Sequence, residues 1–339
     1  MTTLITTDTH FSDHPRDAHR FDLFPWLAKQ AEKHKAQSIY FLGDLTEDKD
    51  RHSGVLVNRV VNELVGLSYN SGKVVVVLRG NHDCIDAKNP FFGFLTLYPN
   101  VTFISHRLMI DEALPTKKLF LAHSRDPEKD WAGIDFSRYD YAFVHQTFDG
   151  AKAENGQQLS GISTSRVKGI KRQVFSGDIH VPQTIGKVTY VGAPYHIRFG
   201  DSFEPRVILL DEETGKTQDL HFPTKAKHLI EVKCAADLDD LDGVEEGDQV
   251  KIRVMLAREE LVGYDALRRE IKAYAEKLGL EVYGVSASIA EPEKGAKRKV
   301  NTQAMKPGAV LGLYAKREQL ATEVVEEGVA LLKKHGSGA

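Results

Sequence analysis

Short clusters of aspartate, histidine and asparagine recur along the first 180 residues of the chain, each directly after a run of apolar and β-branched residues. Such side chains bind divalent metal ions through carboxylate, imidazole and amide atoms. One Asp-x-His or Gly-Asp pair is also ordinary turn chemistry, but five clusters in the same structural position favour a common site. The clusters are Asp8 and His10 after "LITT", Gly43 and Asp44 after "IYFL", "GNHD" at 80–83 after "VVVVLR", His145 after "YAFV", and Asp178 and His180 after "VFSG".

The carboxyl ends of neighbouring parallel strands form one edge of a sheet, so loops leaving that edge would bring these clusters together. Two divalent cations held there would make water nucleophilic near neutral pH and offset charge on phosphoryl oxygens, which is the chemistry of phosphoester hydrolysis. His82 is positioned to protonate a leaving oxygen or bind phosphate, with Asp83 orienting it. The predicted metal ligands are Asp8, His10, Asp44, Asn81, His145, Asp178 and His180.

The elements that must position these residues are short strands alternating with helical patterns. The predicted strands are "TLITT", "SIYFLG", "KVVVVLRG", "KLFLAH", "YAFVHQ", "QVFSG", "KVTYVG" and "RVILLD". Several are apolar throughout, which is typical of sheets covered on both faces. "FPWLAKQAEKHKA" and "GVLVNRVVNELVGL" carry apolar residues at helical spacing. The pattern predicts an α/β domain over 1–222, a small α+β domain over 223–292, and a basic linker with a last helix over 293–339.

Composition sets few further limits. A length of 339 residues suits about two domains, and the net charge of −3 gives no overall attraction to nucleic acid or anionic membrane. The two cysteines, Cys84 and Cys234, show no zinc or disulfide spacing. No window reaches the roughly 18 apolar residues of a membrane-spanning helix, and we expect a cytoplasmic protein without membrane contact.

The ordered motifs D-x-H, G-D, G-N-H-[DE], a lone His and G-x-x-H resemble the signature of the calcineurin-like metallophosphoesterases. "GDIHVPQ" followed by "YVGAPYHIRFGD" is more narrowly similar to the nuclease subunit of SbcCD-type DNA break-processing complexes, bacterial or bacteriophage. The motifs cover residues 1 to about 210, and the remainder is similar only in layout.

This resemblance implies a four-layer αββα sandwich followed by a small α+β capping domain and a C-terminal helical segment that binds an ATPase. It implies one metal on Asp8, His10 and His180, with Asp44 bridging to a second metal on Asn81, His145 and residue 178. His82 takes the catalytic role, and the metals are expected to be Mn²⁺, with Mg²⁺ as the competitor.

The sequence departs from the family pattern at two positions. Asp178 stands where the family has a histidine, which gives three carboxylates and a site of harder ligand preference; we expect Asp178 still to bind metal. Glu47 stands where this branch often has a histidine, with His52 as the nearest substitute. Glu47 is expected to be a solvated loop acid.

The expected substrate is DNA at its ends, bound through backbone contacts. Predicted DNA contacts are Arg166, Lys168, Lys171, Arg172 and His196. The resemblance implies a homodimer of this subunit and an SbcC-like, SMC-type ATPase that binds the last helix, where Leu313, Leu320, Val324 and Leu331 form an apolar stripe. A stand-alone phosphodiesterase or phosphatase, and a catalytically weakened DNA-binding scaffold, are the alternatives.

Overall fold

The computed structural model describes residues 1–110, 116–289, 311, 314–315 and 322–334. By their internal contacts they divide into two units, Met1–Ser288 and Ile289–Ala339. All strands and the residues of the candidate site lie in the first unit, apart from the last residue of the final strand. Of the second unit, the structure describes mainly one helix.

The strands follow the sequence in this order: β1 (Thr2–Thr6), β2 (Ser38–Phe41), β3 (Val74–Leu78), β4 (Val101–Ile104), β5 (Arg107–Ile110), β6 (Lys118–Leu121), β7 (Tyr141–His145), β8 (Gln173–Gly177), β9 (Gln183–Ile185), β10 (Val188–Tyr190), β11 (Val207–Asp211), β12 (Thr217–Leu220), β13 (Lys227–Val232), β14 (Gln249–Leu256) and β15 (Glu281–Ile289). The helices are α1 (Leu23–Lys33), α2 (Gly54–Ser71), α3 (Pro127–Asp130), α4 (Tyr264–Lys277) and α5 (Thr322–Lys334).

Two six-stranded mixed sheets form the main body. The first has the order β12-β11-β1-β2-β3-β4 and the second the order β5-β6-β7-β8-β10-β9. Strands β1 to β4 are parallel, as are β6, β7, β8 and β10, while β11 and β12 and the strands β5 and β9 run antiparallel to their neighbours. The carboxyl ends of the parallel strands therefore form one edge in each sheet.

The two sheets pack face to face through buried side chains, among them Ile5, Tyr40, Val76, Phe143 and Phe175. Helices α1 and α2 cover the outer face of the first sheet through a second apolar cluster. The outer face of the second sheet is covered by a third cluster that includes Trp131, Phe136 and Val167. That layer is built from the four-residue α3 and short 3₁₀ helices rather than from long helices. The predicted α/β sandwich is confirmed.

Each of the eight predicted strands is a strand in the structure. The sequence interpretation missed β4, β5, β9 and β12, which have only three or four residues. They lie at or next to the outer ends of the sheets, where few neighbours impose an apolar pattern. β12, "TQDL", is largely exposed and polar.

A three-stranded sheet of order β13-β14-β15 packs with α4 around its own apolar cluster. It begins at Lys227 and belongs to the same contact unit as the two large sheets. The predicted boundary between 292 and 293 and the linker after it lie outside the described residues, as do Leu313 and Leu320. None of the described helices has the length and hydrophobicity that a membrane span requires.

Candidate metal centre

The five polar clusters meet at one place between the two sheets. Ligand atoms of Asp8, His10 and His180 lie within 4.8 Å of one another, and so do those of Asp8, Asp44 and His145. All five side chains are buried. The structure thus brings together residues up to 172 positions apart in the chain, as expected of loops that leave the carboxyl ends of β1, β2, β7 and β8.

Asp44 lies between the two groups. Its Oδ2 is 3.8 Å from His10 Nε2, and its Oδ1 is 3.3 Å from His145 Nε2. Burial by itself would raise the pKa of Asp44, but the imidazoles of His145, His10 and His82 outweigh that and hold it well below its usual range. Asp44 is therefore an anionic carboxylate that faces a histidine of each group.

Asn81 and Asp178 complete the second group. The end of the Asn81 amide that faces the site lies 2.9 Å from His145 Nε2, 3.2 Å from the Asp44 carboxylate and 3.3 Å from Asp178 Oδ1. The Thr147 hydroxyl donates to the other oxygen, Asp178 Oδ2. With its oxygen turned inward, Asn81 would converge with two carboxylates and an imidazole. A bound cation would stabilise that set of four Lewis bases.

The backbone at four of these residues is left-handed. The φ angles are 50° at Asp8, 43° at His10, 51° at Asp44 and 79° at Asp178. Non-glycine residues rarely adopt this conformation, which costs of order 1–3 kcal/mol each. Such strain persists where the surrounding structure holds it, and here it aims side chains from successive loop positions into one space.

Glycines beside the ligands permit their close approach. A methyl group on Gly43, whose φ is 99°, would overlap the His145 ring and the backbone of Gly80. One on Gly80 would overlap the Asp44 carboxylate, and one on Gly177 would overlap Thr7 and His145. The glycines of the "GD" and "GNHD" clusters are therefore needed for space as well as for turning.

Each histidine is oriented through Nδ1. His145 Nδ1 donates to the Leu42 carbonyl at 2.6 Å, which turns Nε2 toward Asp44. His10 Nδ1 lies 2.9 Å from Glu47 Oε2, and His180 Nδ1 lies 3.0 Å from Glu154 Oε1. The hydrogen bond from each histidine is the largest cause that lowers the pKa of its glutamate, in both cases to about 2.

Glu47 is exposed, as its loop position suggested, but its carboxylate also contacts His10. Its carboxylate is drawn onto His10 because an imidazole that turns Nε2 inward presents Nδ1–H outward, next to the loop after β2. Glu154 was not singled out from the sequence, since it stands in a polar loop between β7 and β8 without a motif of its own.

The residues fit two divalent cations. Asp8 Oδ2 is buried without a hydrogen-bond partner. The Nε2 atoms of His10 and His180 lie 3.2 Å apart, each with its other nitrogen engaged by a glutamate. Converging lone pairs of this kind are what a metal ion binds. One ion would be held by Asp8, His10 and His180. The other would be held by Asn81, His145 and Asp178, and Asp44 lies between the two groups.

His82 lines the cleft in front of this centre. Its backbone N–H donates to Asp44 Oδ1 at 2.8 Å, and its ring centroid lies 5.1 Å from that of His10. Its Nδ1 lies 2.9 Å from the carbonyl oxygen of Glu47, which orients the ring and leaves Nε2 as the atom that can exchange a proton.

Asp83, predicted to orient His82, is placed differently. Its buried carboxylate accepts backbone N–H groups of Gly80 at 2.6 Å and of Asp44 and Leu45, both at 2.9 Å. Burial, with the Asp44 charge, raises the pKa of Asp83 to about 6. Asp83 joins the loops after β2 and β3, and the orienting role falls to the Glu47 carbonyl.

The cleft has a volume of about 590 Å³. Besides the ligands and His82, its lining includes Arg16, Arg20, Arg198, Phe199, Lys227 and Lys251. Lys227 and Lys251 come from β13 and β14 of the small sheet. The Lys251 ammonium lies 4.7 Å from the centroid of the Phe199 ring.

The basic stretch predicted to contact DNA lies elsewhere. Residues 166–172 precede β8, whereas Asp178 follows it, so the stretch is at the opposite end of a strand about 17 Å long. Arg166 donates to the Trp131 carbonyl at 2.8 Å, and Arg172 to the carbonyls of Glu212 and Glu213. Neither these nor Lys168 and Lys171 line the cleft.

His196 is engaged by the backbone. Its Nε2 lies 2.9 Å from the Phe203 carbonyl, and its Nδ1 accepts the Lys227 N–H at 3.4 Å. It fastens the segment after β10 to the small sheet. Its neighbours Arg198 and Phe199 line the cleft instead.

The fold and the centre together define a metal-dependent phosphoesterase. The sequence profile of the calcineurin-like phosphoesterases, Metallophos, matches residues 1–182, more than half of the chain. The chain belongs to this family, whose members are hydrolases of phosphoester bonds that use divalent metals.

Two further comparisons add little. No curated protein matches the chain. Among solved structures, a dimetal phosphatase from Danio rerio is similar at 10% identity and a TM-score of 0.39, over 66% of this chain and 99% of the phosphatase.

Proposed function

We propose that this metallophosphoesterase is a two-metal-dependent DNA nuclease that hydrolyses phosphodiester bonds at DNA ends. The observation that carries the proposal is the composition of the cleft, which joins the metal ligands to a cationic wall. Lys251 and Arg198 stand along it with Phe199, whereas Lys227 is buried and paired with Asp17. Cations of this kind suit successive phosphates of a strand, and an aromatic ring suits an unpaired base.

The division of labour follows from the geometry. Bound metal ions, Mn²⁺ by preference, would supply an activated water and neutralise charge on the phosphoryl oxygens. His82 Nε2 delivers a proton to the leaving oxygen or holds a phosphate oxygen, because Nδ1 is fixed by the Glu47 carbonyl. Because Asp8 and Asp44 are buried, water does not screen their charges.

The test is a substrate panel with Mn²⁺. Linear double-stranded DNA, single-stranded DNA, bis(p-nitrophenyl) phosphate and p-nitrophenyl phosphate are compared, with His82→Ala as control. We expect hydrolysis of DNA and of the diester, a loss of about 100-fold or more in His82→Ala, and retained DNA binding. Turnover of small esters alone would indicate a stand-alone phosphodiesterase or phosphatase, and binding without turnover a scaffold.

The proposal includes two partners. An SbcC-like, SMC-type ATPase would bind the last helix, described over Thr322–Lys334, and the nuclease subunit would form a homodimer. Support comes from the sequence resemblance and from the amphipathic last helix. Co-purification with such an ATPase that survived truncation before Lys306 would argue against the helix as its docking site.

A further inference from the structure

A second cleft, of about 670 Å³, adjoins the metal centre. Asn81 lines both clefts, so the two meet at the candidate ligands. The second one is walled by the segments that follow β3 and β6 and by the start of β5. The residues assigned so far to substrate binding all lie in the first cleft.

The lining of the second cleft is strongly cationic. It contains the two carboxylates Asp86 and Asp130 against five cationic side chains, Lys49, Arg79, Lys88, Arg107 and Arg125. The whole protein has a formal charge of −3. The excess of positive charge is therefore a local feature of this cleft. A concave surface with positive charge concentrates anions.

Arg79 makes the cleft an unusual surface. Its side chain is only 4% exposed, and its guanidinium donates to the carbonyls of Ser105 at 2.8 Å and His123 at 2.5 Å. Buried charges are normally paired with an opposite charge. Among the described residues, no carboxylate lies within ion-pair distance of Arg79, nor of Arg107 or Arg125.

We propose that the second cleft binds the phosphodiester backbone of the DNA strand that continues beyond the scissile phosphate. This inference rests on the proposed nuclease function. A small ester would occupy the metal centre by itself, whereas a strand crossing it would leave one cleft at Asn81 and enter the other. Trp131, the aromatic residue in the lining, is buried, so the contacts fall on phosphates and carry no sequence preference.

The test measures binding of a fluorescein-labelled single-stranded oligonucleotide by anisotropy, in the His82→Ala background so that the strand stays intact. Arg107 and Arg125 are exposed and are replaced together by alanine. We expect a Kd about tenfold higher at low salt. The slope of log Kd against log salt concentration should fall by about 0.7 for each phosphate that the variant no longer neutralises.

The matched control is Lys168→Ala with Lys171→Ala, which removes two charges at the opposite end of β8. Its Kd and salt slope should equal those of the parent. Turnover of bis(p-nitrophenyl) phosphate by each variant with His82 intact checks that the metal centre is unchanged.

Equal DNA binding by the parent and the Arg107/Arg125 variant would overturn the inference and leave the nuclease proposal standing. Weaker binding confined to the Lys168/Lys171 variant would also overturn it and place the strand along the other edge. A protein that hydrolysed the small diester but bound no DNA would overturn both.

Discussion

The imidazoles of His10 and His180 are each backed by a glutamate, whereas His145 is backed by a backbone carbonyl. A carboxylate behind a ligating histidine fixes the ring and raises its basicity more than a neutral acceptor does. The two centres therefore differ in electron donation, and the ion held by His10 and His180 should be bound more tightly.

Replacement of Glu154 by glutamine should weaken the binding of the ion held by His10 and His180. Glutamine keeps the size of the side chain but removes the charge that holds His180 Nδ1–H. The Kd of the tighter Mn²⁺ should rise about 10–100-fold, measured by calorimetry and by electron paramagnetic resonance of free Mn²⁺. Glu128→Gln, an exposed acid on α3, is the control and should leave both affinities unchanged; equal affinities in the two variants would remove Glu154 from the site.

Removal of the Asp178 carboxylate should release the other ion. Asp178 Oδ1 points at Asn81 and His145, so Asp178→Ala leaves that metal with one carboxylate fewer. We expect Mn²⁺ stoichiometry to drop from two to one and diester hydrolysis to fall with it. Asp178→His, which restores the family residue, should keep both ions. Unchanged stoichiometry and rate in Asp178→Ala would show that it is not a ligand.

Residue types and spacing were enough to identify the candidate metal ligands, because few kinds of side chain bind divalent cations. They were not enough to identify the glutamates that contact the ligating histidines. Glu154 precedes His180 by 26 positions in a loop whose course depends on tertiary packing. Glu47 had a visible signal, an acid three positions after Asp44, that only the direction of the His10 ring could resolve.

At the scale of elements, the ligands stand on turns that allow little change. Gly43 and Gly72 both have positive φ, 99° and 65°, but only Gly43 has neighbours that a methyl group would overlap. Gly72 ends α2 in open space. Alanine substitutions at these two glycines therefore separate the cost of backbone strain from the cost of a clash with His145.

Gly72→Ala should lower the free energy of unfolding by about 1–2 kcal/mol, and Gly43→Ala by about 4 kcal/mol or more. Chemical denaturation gives both values, and Mn²⁺ titration should show weakened binding only for Gly43→Ala. Equal losses of stability with normal metal binding would mean that the loops accommodate a side chain.

The 3₁₀ helix Pro15–Asp22 contains His19, whose pKa changes when the protein folds. Burial, then the charges of Lys227 and Arg20, lowers the pKa of His19 to about 4. Between its unfolded value of about 6.5 and about 4, the unfolded chain binds a proton that the folded chain does not. Stability should therefore fall as pH falls through this window, by about 1–2 kcal/mol after solvent screening.

His19→Gln should remove this component while leaving stability above pH 7 little changed. Urea unfolding at several pH values measures the difference. If the difference in unfolding free energy between wild type and variant were constant from neutral to acidic pH, His19 would not be the source of the pH dependence.

Buried apolar strands were predictable because a central strand in a covered sheet must be apolar throughout. The edge strands and the outer layer of the second sheet were not predictable, because many different sequences are compatible with exposed elements. The basic stretch at 166–172 is close to Asp178 in sequence but not in space, because β8 separates the two and places them at its opposite ends.

At the scale of the molecule, all candidate ligands, the two large sheets and the small sheet except Ile289 lie within Met1–Ser288. Each sheet has its own buried cluster there. A protein truncated after Ser288 should fold, bind Mn²⁺ and hydrolyse bis(p-nitrophenyl) phosphate at the rate of the full chain. Calorimetric unfolding and steady-state kinetics check this, and an unfolded or inactive fragment would show that the last residues contribute to the fold.

The backbone N–H of Asp178 donates to Asp8 Oδ1 across 170 positions of sequence. During synthesis, Asp8, His10, Asp44 and Asn81 leave the ribosome well before Asp178 and His180 exist. An ion captured by the emerging amino-terminal half would meet an incomplete shell, open to exchange with whichever cation is most abundant. The ligand set is therefore complete only after β8 has been synthesised and has paired with β7.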